Sequence, residues 1–102
     1  MAPLGTLPVG STANVQLLLD NAASDEATLI VAYTRSGGTN AETDSDVAAP
    51  GGATKKIAMA LPAVGIVGIN VQMAAPTDTG QLVVNGKVTP ITGDFNGTLA
   101  VV

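Results

Sequence analysis

The side chains able to do chemistry are few. Eight carboxylates, four cations and one tyrosine accompany no histidine and no cysteine in the 102 residues. Attack by a serine with a histidine base, or by a cysteine thiolate, is therefore excluded. A serine–lysine pair in the Ser-x-x-Lys spacing is absent as well. Paired carboxylates for glycosidase-type acid–base work could come from Asp20, Asp25, Glu26, Asp78 and Asp94. Such sites sit in sugar clefts lined with aromatic rings, and the only rings are Tyr33 and Phe95. The expectation is a protein that is not an enzyme.

A metal site would need oxygen ligands alone, hence calcium. Asp44-Ser45-Asp46 has an alternating acidic spacing but lacks the glycine and closing glutamate of an EF-hand loop. It reads as a solvated acidic loop, and no metal or other cofactor is expected. Gly37-Gly38 and Gly51-Gly52 lack the Lys-Ser/Thr of a phosphate loop and read as turns. Asn96-Gly97-Thr98 matches a glycosylation acceptor, yet Asn-Gly reads first as a turn.

Charge narrows the partners. With a net charge of −4 and only Arg35, Lys55, Lys56 and Lys87 as cations, nothing predicts affinity for phosphates, so no nucleic acid partner is expected. No run approaches the ~20 apolar residues of a membrane span, and no membrane partner is expected. Met1 to Asp20 carries neither a basic start nor a continuous apolar stretch, so a signal peptide is not expected and the chain reads as a complete short product. The lack of cysteine leaves the redox compartment open. Charged residues amount to 12%, against roughly 25% in a typical soluble domain. A surface so sparsely charged fits one that lies against other subunits.

The positioning elements are strands. The chain is 46% hydrophobic and 2% aromatic, with 12 glycines and 6 prolines as punctuation, so β-branched and aliphatic residues fall in short, interrupted runs. Residues 1–12, with Pro3, Pro8, Gly5 and Gly10, read as an extended N-terminal arm whose Leu4 and Leu7 need cover, from the domain's own edge or from a neighbour. Residues 13–102 read as one domain of about seven strands. Ala13 to Asp20 puts Val15, Leu17 and Leu19 on one face, and Ala27 to Arg35 does the same with Leu29, Val31 and Tyr33. Thr54 to Leu61 groups Ile57, Met59 and Leu61; Gly65 to Met73 groups Val67, Ile69, Val71 and Met73. Gln81 to Asn85 and Lys87 to Thr92 flank Asn85-Gly86, the dipeptide suited to a two-residue type I′ hairpin. Thr98 to Val102 is the last strand, after a second expected turn at Asn96-Gly97. Residues 36–52, rich in Gly, Ser and Thr and holding Glu42, Asp44 and Asp46, read as a long solvated loop.

This order resembles immunoglobulin-like modules of the CARDB and fibronectin III kind. The resemblance is carried by Val9-Gly10-Ser11, Asn14 to Asp20 with Asn21, and Ala27 to Tyr33. It continues through Ala49-Pro50-Gly51-Gly52, Thr54 to Met59, and Gly65 to Gln72, covering about residues 9 to 73. The Asn-Gly hairpin and further strand at the end depart from the pattern. The resemblance implies an all-β, antiparallel immunoglobulin-like β-sandwich that presents or assembles, as spacers, adhesins and virion decoration proteins do.

Leu18, Ile30, Ala58, Ala60 and Val83 fall on faces that should be wet if each sheet has a solvent side. The leading expectation is therefore a non-catalytic structural subunit that decorates or cements a viral capsid or similar symmetric shell. Its partners would be the shell protein and further copies of itself, and its location the virion. Leu4, Leu7, Leu18, Ile30 and Val83 are its expected assembly contacts. The alternative is a binding module of a cell-surface or secreted protein that recognises its ligand through the 36–52 loop.

Overall fold

The computed structural model describes residues 2–10, 12–20, 26–38, 40–49, 55–61, 65–76 and 78–102. Among them the chain forms β1 (Ala2–Leu7), β2 (Ala13–Leu19), β3 (Ala27–Arg35), β4 (Glu42–Ala48), β5 (Lys55–Leu61), β6 (Ile66–Ala74), β7 (Thr79–Val84), β8 (Lys87–Thr92) and β9 (Phe95–Val101). They make a five-stranded sheet in the order β1-β9-β6-β3-β4 and a four-stranded sheet in the order β5-β2-β7-β8. All pairings are antiparallel except β1 with β9. The protein is an all-β sandwich of two packed sheets.

Period-2 alternation sets the faces. Val15, Leu17 and Leu19 of β2 meet Leu29, Val31 and Tyr33 of β3, Val71 and Met73 of β6, and Leu82 of β7 in one buried cluster. Each fully buried aliphatic side chain contributes roughly 1.5–3 kcal/mol, so this interior replaces the disulfides the chain lacks. A one-residue slip of β2 or β3 would bring Leu18 or Ile30 inward and drive the buried set outward, which fixes the register. Asn85 (φ 47°) and Gly86 (φ 84°) form the tight β7–β8 turn with both central residues left-handed, as a type I′ hairpin requires.

Four local expectations need correction. First, β1 is no free arm. It lies parallel along β9, and Leu4 and Leu7 are 5% and 6% exposed inside the domain's own core. Of the two covers open to these leucines, the structure shows the domain's own. Second, the 36–52 segment is not one long loop, because seven of its residues are β4, paired to β3 from Tyr33↔Glu42 to Ala27↔Ala48. Third, an irregularity between Thr34 and Arg35 shifts the start of β6, so Ile66 is buried and Val67 is 53% exposed. Fourth, Asn96-Gly97 lies inside β9. The chain turns earlier, at Gly93 (φ 71°) and Asp94. The glycine at 97 serves packing, since a Cβ there would come within 2.7 Å of Phe95 Cε1 and 2.8 Å of Leu4 Cδ1.

Candidate interaction face

The outward side of the five-stranded sheet carries uncharged and mostly small residues. The ladders align Ser45, Ile30, Gln72 and Asn96 in one row across four strands. The next row runs Thr43, Ala32, Asn70, Thr98 and Pro3, and the one after it Thr34, Gly68, Ala100 and Thr6. Val47, Thr28 and Ala74 continue the pattern at the other end. No ionisable side chain stands in any of these rows.

The small size of these side chains leaves the face hollowed. A shallow depression of about 390 Å³ lies over Ala32, Thr34, Gly68, Asn70, Thr98 and Ala100. A second, of about 250 Å³, lies over Ile30, Gln72, Ala74 and Asn96. Asp94 borders that end, and its Oδ1 accepts the Ala75 N–H at 3.0 Å. Methyls, hydroxyls and amides together make a surface that can pack closely and still hydrogen-bond.

The acids of β4 lie away from this face. Glu42, Asp44 and Asp46 stand opposite Tyr33, Val31 and Leu29, whose side chains point into the core. The three carboxylates therefore project from the other side of the strand, along the seam with β5. Asp46 Oδ1 accepts its neighbour's N–H from Val47 at 2.9 Å, and Oδ2 accepts the Ala58 N–H of β5 at 3.3 Å. At the strand's start Arg35 Nε donates to Glu42 Oε2 at 2.6 Å, while its guanidinium lies 5.5 Å from the centre of the Tyr33 ring. The hydrogen bond to Glu42 raises the pKa of Arg35, a group already cationic across the working range.

The outward side of the four-stranded sheet is different. Leu18 and Val83 lie half-buried on adjacent strands, joined through the Leu18↔Gln81 and Gln16↔Val83 pairs. Val83 stands opposite exposed Val88, and Leu18 opposite Lys56. Of the five expected contacts, the fold thus gathers Leu18 and Val83 on one face, places Ile30 on the opposite face, and encloses Leu4 and Leu7. Ala32, Gly68, Thr98 and Ala100 stand outside the expected contacts, which are all large apolar residues. Their signal is negative: alternate positions on five strands with no charge at all.

Among the carboxylates named for catalysis or calcium, Asp46 and Asp94 accept backbone N–H groups. Asp94 holds the Ala75 N–H. Asp78 is buried, and its carbonyl accepts the Gly93 N–H at 2.9 Å. The Asp20 N–H donates to the Thr79 carbonyl at 2.9 Å, and Glu26 is exposed ahead of β3. Asp25 lies outside the described residues. Among the described residues, no group of three or more metal-ligating side chains comes together, and no helix is long and apolar enough to cross a membrane. Comparison with protein-family models, curated proteins and solved structures finds no match to this chain.

Proposed function

We propose that this chain is a non-catalytic structural subunit that decorates or cements a symmetric protein shell such as a viral capsid, docking through the outward face of its five-stranded sheet. The single observation that carries this reading is the absence of ionisable side chains from every cross-strand row of that face. Interface centres are depleted of charge because a buried, unpaired ion is costly to desolvate. A solvent face with no partner gains nothing from excluding them. The three acids of β4 project on its other side, toward β5, and Asp94 only borders the face, so the face would meet an uncharged protein surface. The lack of histidine and cysteine agrees with a role without catalysis.

We further read the sandwich as immunoglobulin-like. The order β9-β6-β3-β4 matches the G-F-C-C′ run of variable-type domains, and β5 beside β2 matches E beside B. The β7–β8 hairpin, inserted before the last strand and placed next to β2, departs from that plan. The alternative of a cell-surface binding module drew on a long presenting loop, and the pairing of β4 leaves it only the ends of that segment.

Imaging of the native particle at a resolution that places strands tests the proposal. The expected result is a neighbouring subunit seated over Ala32, Gly68 and Ala100. A particle in which that face points into solvent would overturn it.

A further inference from the structure

We infer that β1 is an exchangeable strand, and that two copies of this chain form a dimer by each placing its Leu4 and Leu7 in the other's β9 groove. This holds whichever shell the subunit serves. The occupant of the groove is already known, because it is the chain's own first strand, and a second copy supplies an identical one.

Three features make β1 detachable. It is an edge strand, bonded to β9 on one side only. Its ladder is parallel and irregular between Pro3 and Thr6. It is not tightly packed against the other sheet, because a cavity of about 420 Å³ lies between Leu4, Leu7 and Leu99 and the β7–β8 hairpin at Val84 and Lys87. Two features make the seat specific: Gly97 leaves room for Leu4, where any Cβ would collide with it, and the Leu7 carbonyl accepts the Val102 N–H at 2.9 Å.

The link to β2 is the hinge. Residues 8–10 follow β1 on this link, with Gly10 at φ 86° and nothing within 4 Å of the place its Cβ would take. Gly10 has no Cβ to hold it at one φ, so it can adopt an extended conformation as readily as a left-handed one, and Pro8, two residues before it, favours extended chain. Short hinges of this kind invite exchange. Every contact of β1 is remade in the exchanged form, so only the entropy of association and the hinge rotation oppose it.

The test uses the full chain, which has no natural cysteine. Thr6 and Ala100 are register partners facing outward, and strand neighbours about 5 Å apart fall in the range a disulfide spans. The Thr6→Cys/Ala100→Cys variant is unfolded in urea, refolded at low and at high concentration, oxidised, and run on a denaturing, non-reducing gel. Exchange predicts covalent dimers whose fraction rises at least about tenfold across a hundredfold concentration range, with intrachain-linked monomer at the dilute end. The single variants Thr6→Cys and Ala100→Cys should give no dimer; if they link as well as the pair does, copies are meeting through the sheet face and exchange is overturned. Intrachain monomer alone at every concentration also overturns it. As a second readout, unlabelled and isotope-labelled wild-type chains are co-refolded at high concentration for native mass spectrometry. Mixed dimers that form on co-refolding but not on mixing already folded chains support exchange; equal mixing without unfolding, or monomers alone, refutes it.

Discussion

The Leu4 side chain fills the space that a side chain on Gly97 would need: Cγ and Cδ1 of Leu4 lie 2.9 and 2.8 Å from the position of a Cβ there. The pair joins the first strand to the last, and it makes a glycine in mid-strand a packing device, with no turn at that position.

A first prediction follows from that contact. Gly97→Ala overpacks the groove and should cost about 1–3 kcal/mol, while Leu4→Ala leaves a cavity and should cost about 2–5 kcal/mol. The double variant should cost at least about 0.5 kcal/mol less than the sum, because the alanine methyl then occupies room that Leu4 has vacated. Urea denaturation of the four proteins measures this. Strict additivity would mean that the two residues do not touch.

The β7–β8 turn supports a second prediction. Asn85 holds φ 47° and also ties the hairpin to β2: its Oδ1 accepts the Asn14 N–H at 2.8 Å, and its Nδ2 donates to the Thr12 carbonyl at 3.2 Å. Asn85→Gly relieves the backbone and loses the hydrogen bonds, whereas Asn85→Ala loses both advantages. Alanine should therefore be the less stable of the two by about 1–2 kcal/mol, the cost of a left-handed residue with a Cβ. Equal thermal midpoints for the two variants would contradict this.

Much of the sandwich was legible because its buried strands write their burial in alternation. Ala13 to Leu19 and Ala27 to Arg35 were read nearly to the residue, since each carries aliphatic side chains at every second position and each faces a full opposing sheet. Strand β4 was not read, for a physical reason. It alternates acids with Thr43, Ser45 and Val47, and on its inward side only Ala48 packs against the core. The alternation is present, but in charge instead of hydropathy. Strand β1 was hidden by Pro3 and Gly5, which mark an edge strand as readily as a loose arm. The Asn96-Gly97 misreading shows the limit of dipeptide rules: Asn85-Gly86 and Asn96-Gly97 look alike, and only the neighbours Leu4 and Phe95 distinguish turn from seat. The face over Gly68 was unreadable from any one strand, because its lack of charge emerges only when five strands are set side by side.

The acids of β4 give a third prediction. A strand at the edge of a sheet exposes a bonding rim to other chains, and charges blunt it. Glu42→Thr with Asp44→Thr removes two of the three carboxylates and raises the β propensity of the strand. The doubly substituted protein should fold with near-native circular dichroism yet aggregate faster on agitation than the wild type, as followed by light scattering. Asp46→Ala should act differently, by releasing the Ala58 N–H of β5 and costing about 0.5–1.5 kcal/mol without a comparable gain in aggregation.

The last prediction concerns the uncharged face. Ala100 and Gln72 are exposed on it, on neighbouring strands, and neither side chain is part of the buried cluster. Ala100→Lys and Gln72→Glu should thus change folding stability by no more than about 0.5 kcal/mol, as surface substitutions do. If a shell neighbour covers the face, the same changes bury an unpaired charge and should cost several kcal/mol of binding. Occupancy of the variants on native particles should then fall at least about tenfold, since each 1.4 kcal/mol is a factor of ten. Lys56→Ala, on the opposite sheet, should leave occupancy unchanged. The comparison separates docking from folding, because the face variants keep their urea midpoints while losing their place on the particle. Full occupancy by both would mean that the particle holds the subunit by some other surface.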